Sequence, residues 1–555
     1  MTAGAGQMGA KGPLKQFLGA AGLISILTLG ARIFGFARWF AQFAWVGQGE
    51  TANAYASANQ IPNIIYEVAA GGALAGITIP LLAAPLAKAM KKDVARISSS
   101  LLTMSLAVLI PLAILICFGA PLISAWLPAP VGANQASQRE LLTSFLRVFA
   151  AQIPLYGISV VLTGVLQAHK KFFWPAFAPL LSSVVVIATY GLYGLNPGAS
   201  DSAGDVSQVA VNVLAWGTTA GVCALSLPLF IPVAKLGIRL RPRIDLTQVE
   251  MKRAGALGFA GVGALLAQQF AALSVLSIAR AYGDVGTVAI YQYTQAVYML
   301  PYAVLAVPVA TAVFPDLART AAQAGRRGFA RATETSTSAV IAVSCVGCGL
   351  LIAGAKPVSN VFEFLKPVPG MAHALLALAP GVVGFALIYH LSRVFYAIDR
   401  GSIAVAATAS GWLITAGGSW ALARLLAPAG ANGPATLLAL SIGSSIGMLS
   451  AGVGLEWGLV HIGQKKASRH TLIVLVKCGI PSLACGGLAW LLETPIVAAL
   501  PGVSGTLAAG VAGLLLVAVG ALPALGVVRK GMRNEDHALD GQGSGWGSSS
   551  RKASE

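Results

Sequence analysis

Long apolar stretches, broken by short polar ones, run through almost the whole chain. A helix needs about 20 mostly apolar residues to cross a bilayer. By that measure fourteen crossings are expected, near 17–46, 52–87, 98–127, 140–168, 172–196, 207–236, 253–281, 286–317, 330–358, 372–398, 402–427, 432–462, 470–492 and 500–528. None shows the period-two alternation of a strand. The pattern predicts an all-α polytopic membrane protein with about 14 transmembrane helices. The first stretch begins like a signal sequence, with Lys11 and Lys15 before Phe17, but its apolar run continues past Arg32 and Arg38 to Val46. It is therefore expected to stay as the first membrane helix.

The polar breaks carry a second pattern. With the N-terminus inside, the even-numbered loops and both tails are basic: Lys88, Lys91, Lys92 and Arg96; Lys170 and Lys171; Lys235, Arg239, Arg241, Arg243, Lys252 and Arg253; Arg319, Arg326, Arg327 and Arg331; Lys465, Lys466 and Arg469; Arg529, Lys530 and Arg533. The odd-numbered loops are poor in Lys and Arg; roughly 27 basic residues fall inside and roughly 5 outside. A missed helix would invert the alternation downstream, so an even number of crossings with both termini cytoplasmic is expected. The formal net charge of +18 then belongs to loops facing anionic lipid, and no nucleic acid is implied.

Composition agrees: 56% of residues are hydrophobic and 10% charged, with mean hydropathy +0.76, which excludes a soluble globular chain. Residues 1–16 and 531–555, polar and rich in Gly and Ser, read as disordered cytoplasmic tails. Residues 237–252 form the longest basic loop and divide an N-lobe, 17–236, from a C-lobe, 253–463. Two further helices lie in 464–530. Thr51-Ala-Asn-Ala-Tyr55 followed by Ile79-Pro80 is echoed by Thr287-Val-Ala-Ile-Tyr291 followed by Phe314-Pro315. The echo predicts two pseudo-symmetric lobes, with a site between them.

Chemistry is expected where ionisable groups sit inside the slab. Arg393 beside Asp399 and Arg400, Glu334 beside Arg331, Glu456 towards Lys465 and Lys466, and Lys477 read as side chains that snorkel to the interface. Arg32 and Arg38 do not. Arg32 lies about 22 Å into the first helix, past the midplane. Two arginines suit an anionic, phosphate-bearing ligand in a wet cavity. Six residues correspond to about 240° of helical turn, so a bend at Gly35 or a wide cavity is needed for both to reach one ligand. The other reading has Arg38 beside Trp39 and Trp45, and Arg32 paired with Glu67. The second crossing, broken by Pro62, Gly71, Gly72 and Pro80, carries Asn53, Gln60, Asn63, Tyr66 and Glu67, which are expected to line the same cavity. The eighth repeats the style with Gln292, Gln295, Pro301 and Pro308.

No catalytic constellation and no phosphate-binding glycine loop is present, so a transporter rather than an enzyme is expected, with no cofactor. Cys345-Val-Gly-Cys348 has metal-site spacing but no second pair, and no metal is expected. Gly443-Ser-Ser-Ile-Gly447 fits close helix packing.

Arg32-Ile-Phe-Gly-Phe-Ala-Arg38, Asn59-Gln-Ile-Pro-Asn-Ile-Ile-Tyr-Glu67 with Gly71-Gly72 and Pro80, Gly164-Val-Leu-Gln-Ala-His-Lys-Lys-Phe-Phe-Trp174, Ala312-Val-Phe-Pro315 and Arg393-Val-Phe-Tyr-Ala397 together resemble the MurJ/MviN family of lipid II flippases, in its actinobacterial form. The resemblance covers roughly residues 20–400. It implies two helical lobes around a central cavity, a lipid-tail groove on the last two helices, alternating access, and lipid II carried to the outer leaflet of the plasma membrane for peptidoglycan synthesis. Cell-wall synthesis proteins would be its partners, and an ion gradient or the membrane potential its energy source. The family's first-helix cavity arginines fall on Arg32 and Arg38. Charged family positions are lost at Asn53, Tyr66, Gly71 and Ala296, which leaves ion coupling open. Export of another lipid-linked glycan, cation-coupled drug export with Glu67 as the carboxylate, and a non-transporting cell-wall scaffold stand as alternatives.

Overall fold

The computed structural model describes residues 30–69, 75–130, 133–245, 247–323 and 325–529. The two expected tails and the start of the first crossing lie outside them.

The regular elements among the described residues are all helices, with no strand. Helix α1 covers 30–45. It is followed by α2 Glu50–Val68, α3 Ala75–Ala87, α4 Lys91–Trp126, α5 Gln135–Phe149, α6 Gln152–Ala168, α7 Phe173–Gly194, α8 Gln208–Ser226 and α9 Phe230–Lys235. Then come α10 Gln248–Tyr282, α11 Thr287–Pro301, α12 Val307–Gln323, α13 Gly325–Glu363, α14 Met371–Leu378, α15 Gly381–Ala397, α16 Gly401–Leu426, α17 Gly433–His461, α18 Lys465–Ala499 and α19 Val503–Gly520. Ten helical stretches among the described residues are long and apolar enough to cross a membrane, or eleven when α14 and α15, bent by 44°, count as one. The chain is a multi-pass helical membrane protein.

Several expected crossings are pairs of helices. The fourth joins α5 and α6 at Ala150 and Ala151. The eighth leaves α-geometry after Pro301, in a π-turn at Tyr302–Ala306. A proline removes one backbone donor and its ring crowds the preceding turn, which favours such irregularity.

The described residues form two compact units, one from 30–129 and 133–262, the other from 263–529 with Pro130. The division falls inside α10. In the first unit Leu81, Leu82, Val94, Ile97, Leu101, Val161, Leu162, Val165, Leu166 and Val233 form one buried cluster, joining α3, α4, α6 and α9. In the second, α16 and α17 meet backbone to backbone: a Cβ added at Gly447 would stand 2.5 Å from the Gly411 carbonyl oxygen, and one at Gly443 2.6 Å from the Ser419 nitrogen. Small residues let membrane helices approach this closely. Helix α17 ends at Gly463, whose φ of 85° is costly for any residue with a Cβ. There Gly463 N–H donates to Val460 O at 3.1 Å and Gln464 N–H to Leu459 O at 2.9 Å, the paired bonds of a left-handed helix stop. This corner turns α18 back against α17.

The expected linker at 237–252 is not a free loop. Its N-terminal part runs extended along α4, with the N–H groups of Arg241, Arg243 and Asp245 donating to Ser99 Oγ (3.2 Å), Thr103 Oγ1 (3.1 Å) and Ser100 Oγ (3.1 Å). Arg96 adds a bond to the Asp245 carbonyl at 2.6 Å. From Gln248 onward it is already α10. Backbone donors outside regular structure need partners, and three hydroxyls within about one turn of α4 supply them.

Candidate functional site

The polar residues of the first unit gather in two linked tiers. The deeper tier ties four helices. Gln42 of α1 accepts from the Tyr190 hydroxyl of α7 at 3.1 Å. Tyr190 meets the Tyr55 hydroxyl of α2 at 2.9 Å, and Tyr55 meets Thr218 Oγ1 of α8 at 3.0 Å. The Tyr55 ring is clamped edge-on by Phe145 and Phe149 of α5, each 5.6 Å away. Nearby, Gln152 donates to Thr219 at 3.1 Å. Buried networks of this kind fix a unique packing when their members are satisfied.

The second tier faces outward from it. Tyr156 of α6 donates to Asn63 Oδ1 of α2 at 3.1 Å, and the Tyr66 ring lies over the Tyr156 ring at 4.6 Å. On the opposite side of α2, Ile61 and Ile65 pack onto Leu109, Ala113 and Ile153. That apolar face fixes the rotation of α2, and Gln60, Asn63 and Glu67, at helical spacing, run along another face. Gln60, Asn63 and Tyr66 are half-buried and Glu67 is exposed.

Arg38 joins the tiers. It is half-buried, its guanidinium sits 5.5 Å from the Trp39 ring centre, and it lies one turn before Gln42, on the side of α1 that Gln42 turns to Tyr190 and Tyr55. A planar guanidinium with fork geometry, an amide and phenol hydroxyls within one patch form a donor set for a diphosphate.

The sequence-expected residues do not all converge. Helix α1 is unbroken through Gly35, so the 240° offset stands and Arg32, which is exposed, is not among the partners of this patch. No Arg32–Glu67 ion pair forms among the described residues. Asn53 is fully buried, and neither of its amide atoms has a hydrogen-bond partner among the described residues; it faces packing rather than an open surface. Tyr156, Tyr55 and Tyr190 were not expected. A Tyr and a Gln on one apolar helix, Gln152-Ile-Pro-Leu-Tyr156, were the signal available.

The charges of the second unit have neighbours of their own. Arg393 lies on the Tyr389 ring at 3.9 Å, near the Phe314 ring at 5.6 Å, and donates to Tyr389 Oη at 2.5 Å and Thr311 Oγ1 at 3.4 Å. Glu334 stands 3.5 Å from His470 Nδ1. Glu456 does not extend to Lys465 or Lys466. Both of its oxygens are buried without a hydrogen-bond partner among the described residues, with the hydroxyls of Ser468 and Thr471 nearby. The tight corner at Gly463 folds α18 over it. A buried carboxyl without a partner among the described residues is costly to ionise. Glu456→Gln keeps the shape and cannot ionise, and is expected to stabilise the protein by about 1 kcal/mol at neutral pH, read as a higher thermal unfolding midpoint in detergent. Lys477 is exposed on the outer face of α18, and Cys345, Cys348 and Cys478 are buried free thiols.

The tyrosines of the internal echo occupy like settings. Tyr291 Oη accepts from Gln295 at 2.6 Å and meets Ser444 Oγ at 3.3 Å, as Tyr55 meets Tyr190 and Thr218.

Comparison with known proteins places this architecture. A probable lipid II flippase MurJ of Rhizobium tropici is 28% identical over 311 residues, which span 55% of each chain. One of Rhizobium meliloti (strain 1021) is 26% identical over 381 residues, 67% of this chain and 68% of that one. The solved structure of a lipid II flippase MurJ in an inward closed conformation aligns with a TM-score of 0.67 at 19% identity, covering 90% of this chain and 98% of that one, which establishes the fold. The family profile described as lipid II flippase MurJ matches residues 43–498, more than half of the chain. This chain belongs to the MurJ lipid II flippase family.

Proposed function

We propose that this chain is a lipid II flippase of the plasma membrane, a transporter and not an enzyme, that carries the undecaprenyl-linked peptidoglycan precursor from the cytoplasmic to the outer leaflet by alternating access. The observation that carries the reading is a half-buried arginine, Arg38, on the side of α1 that Gln42 ties to Tyr190 and Tyr55, in the same unit as the Asn63–Tyr156–Tyr66 patch. A guanidinium is retained within the hydrocarbon thickness only at a functional or satisfied site. Arg38 neutralises the diphosphate, Asn63 and Tyr156 orient it, and Gln60, Tyr66 and Glu67 meet sugar or peptide. Arg32, exposed lower on α1, attracts the anionic head group before Arg38 takes it. Asn53 acts from within the packing.

The finer topology belongs to the same proposal: fourteen crossings, both termini in the cytoplasm, and α18 and α19 holding the polyprenyl tail in lipid. The step is driven by an ion gradient or the membrane potential, and cell-wall synthesis proteins take up the delivered precursor.

Depletion of the protein followed by assay of which leaflet holds the lipid-linked precursor tests the reading. Accumulation in the inner leaflet supports it; unchanged delivery to the outer leaflet opposes it. Within the site, Tyr156→Phe removes the hydroxyl that holds Asn63. At about 0.5–1.5 kcal/mol for one hydrogen bond, transport is expected to fall about two- to tenfold without loss of folded protein. The same leaflet assay, normalised to protein amount, checks it.

A further inference from the structure

We propose that the segment Ile238–Asp245, docked on α4, forms a binding site for an anionic diacyl phospholipid, separate from the cargo site. Two cavities adjoin on either side of Phe230 and Leu240. One, of about 600 Å³, is lined by Leu102, Leu106, Ile110, Pro111 and Pro242 with Arg241 among them. The other, of about 630 Å³, is lined by Val233, Ala234, Gly237 and Ile238 with Arg239. Both volumes fall in the range of small-molecule sites.

The local structure is built for this arrangement. Successive side chains of an extended segment alternate in direction. Ile238 is buried and Leu240 half-buried in the core that joins α4, α6 and α9, whereas Arg239, Arg241 and Arg243 are exposed. The hydroxyls of Ser99, Ser100 and Thr103 hold the backbone in that register. Arg243 is paired with Asp245. Arg239 and Arg241 have no ion-pair partner among the described residues, and each lines one cavity. Further along α4 the apolar surface continues outward through the exposed Val108, Ile110, Ile114, Leu115 and Phe118.

Two unopposed guanidinium groups, one beside an apolar cavity and one beside a mixed cavity, at the basic end of a membrane helix, match one occupant: a phosphate head group with its acyl chains laid along α4. A basic pocket between membrane helices is a recognised setting for anionic head groups. A soluble acidic peptide would satisfy the arginines but leave the apolar cavity beside Arg241 unfilled.

This inference depends on membrane embedding and not on the cargo. The test uses the full chain purified in detergent, with phosphatidylglycerol and phosphatidylcholine of equal chain length as probes, and counts retained lipid by native mass spectrometry. Wild type is expected to retain phosphatidylglycerol in preference to phosphatidylcholine. In Arg239→Gln/Arg241→Gln the preference is expected to fall about thirtyfold, at about 1 kcal/mol per basic side chain. Ala107→Trp, which fills the cavity beside Arg241 and leaves both charges, is expected to lower retention of both lipids. Binding of an undecaprenyl-diphosphate lipid is expected to be unchanged in the double variant. Equal retention of the two phospholipids by wild type, an unchanged preference in the double variant, or loss of the polyprenyl lipid alone would each overturn the site. None of these outcomes bears on the leaflet assay, so failure here and failure of the flippase reading are distinguishable.

Discussion

A cell whose only copy of this protein carries Arg38→Ala is expected to stop growing and lyse, with the folded protein still present in the membrane. The expectation follows from what the side chain contributes. A guanidinium fork makes two charge-assisted hydrogen bonds to a phosphate, each worth about 1.5–3 kcal/mol. Losing both weakens the complex by about 3–6 kcal/mol, a factor of about a hundred to ten thousand. The fold should survive, because Arg38 is half-buried and the deeper tie of Gln42, Tyr190, Tyr55 and Thr218 does not pass through it. Arg38→Lys keeps the charge without the fork, so partial growth is expected. Arg32→Ala, at an exposed position on another face of α1, is expected to be the milder change. Growth under depletion of the wild-type copy, with membrane levels measured in parallel, checks all three. A scaffold that transports nothing would tolerate every one of them.

Gly447→Val is expected to fail earlier, at folding. A Cβ there would meet the Gly411 carbonyl and the Thr415 backbone nitrogen, at 2.5 Å and 2.8 Å. Neither is the end of a flexible side chain that can swing aside, so α16 and α17 must separate along their contact. Overpacking at one core position costs about 1–3 kcal/mol, and forcing two helix backbones apart lies at or beyond the top of that range. The folded fraction eluting as a single species in detergent should drop sharply. Gly417→Ala, on the same α16 but with open space around it, should elute as wild type does.

The sequence showed the helices better than it showed the site, for a physical reason. Hydropathy reports the demand for burial in lipid, and that demand is met segment by segment. The expected segments that fall among the described residues are accordingly helical. Close packing at Gly443 and Gly447 was legible too, since only small residues permit it. The site depends instead on helix rotation and on partners far apart in the chain. Arg32 and Arg38 looked alike in the sequence, and only an unbroken α1 separates them. Tyr156 lies 93 positions from Asn63, beyond any local pattern. The linker at 237–252 was read from its charge, whereas its path is fixed by the hydroxyls of Ser99, Ser100 and Thr103 on a different helix. Glu456 was read by its distance along the chain from Lys465 and Lys466, but the turn at Gly463 buries the carboxyl beneath α18.

The decisive experiment is equilibrium binding of lipid II to the purified protein, wild type against Arg38→Ala, with folding verified for both. If the guanidinium of α1 holds the diphosphate, affinity drops by about a hundredfold or more in the variant. Equal affinity would mean that the cargo is gripped elsewhere and that Arg38 merely rests on Trp39.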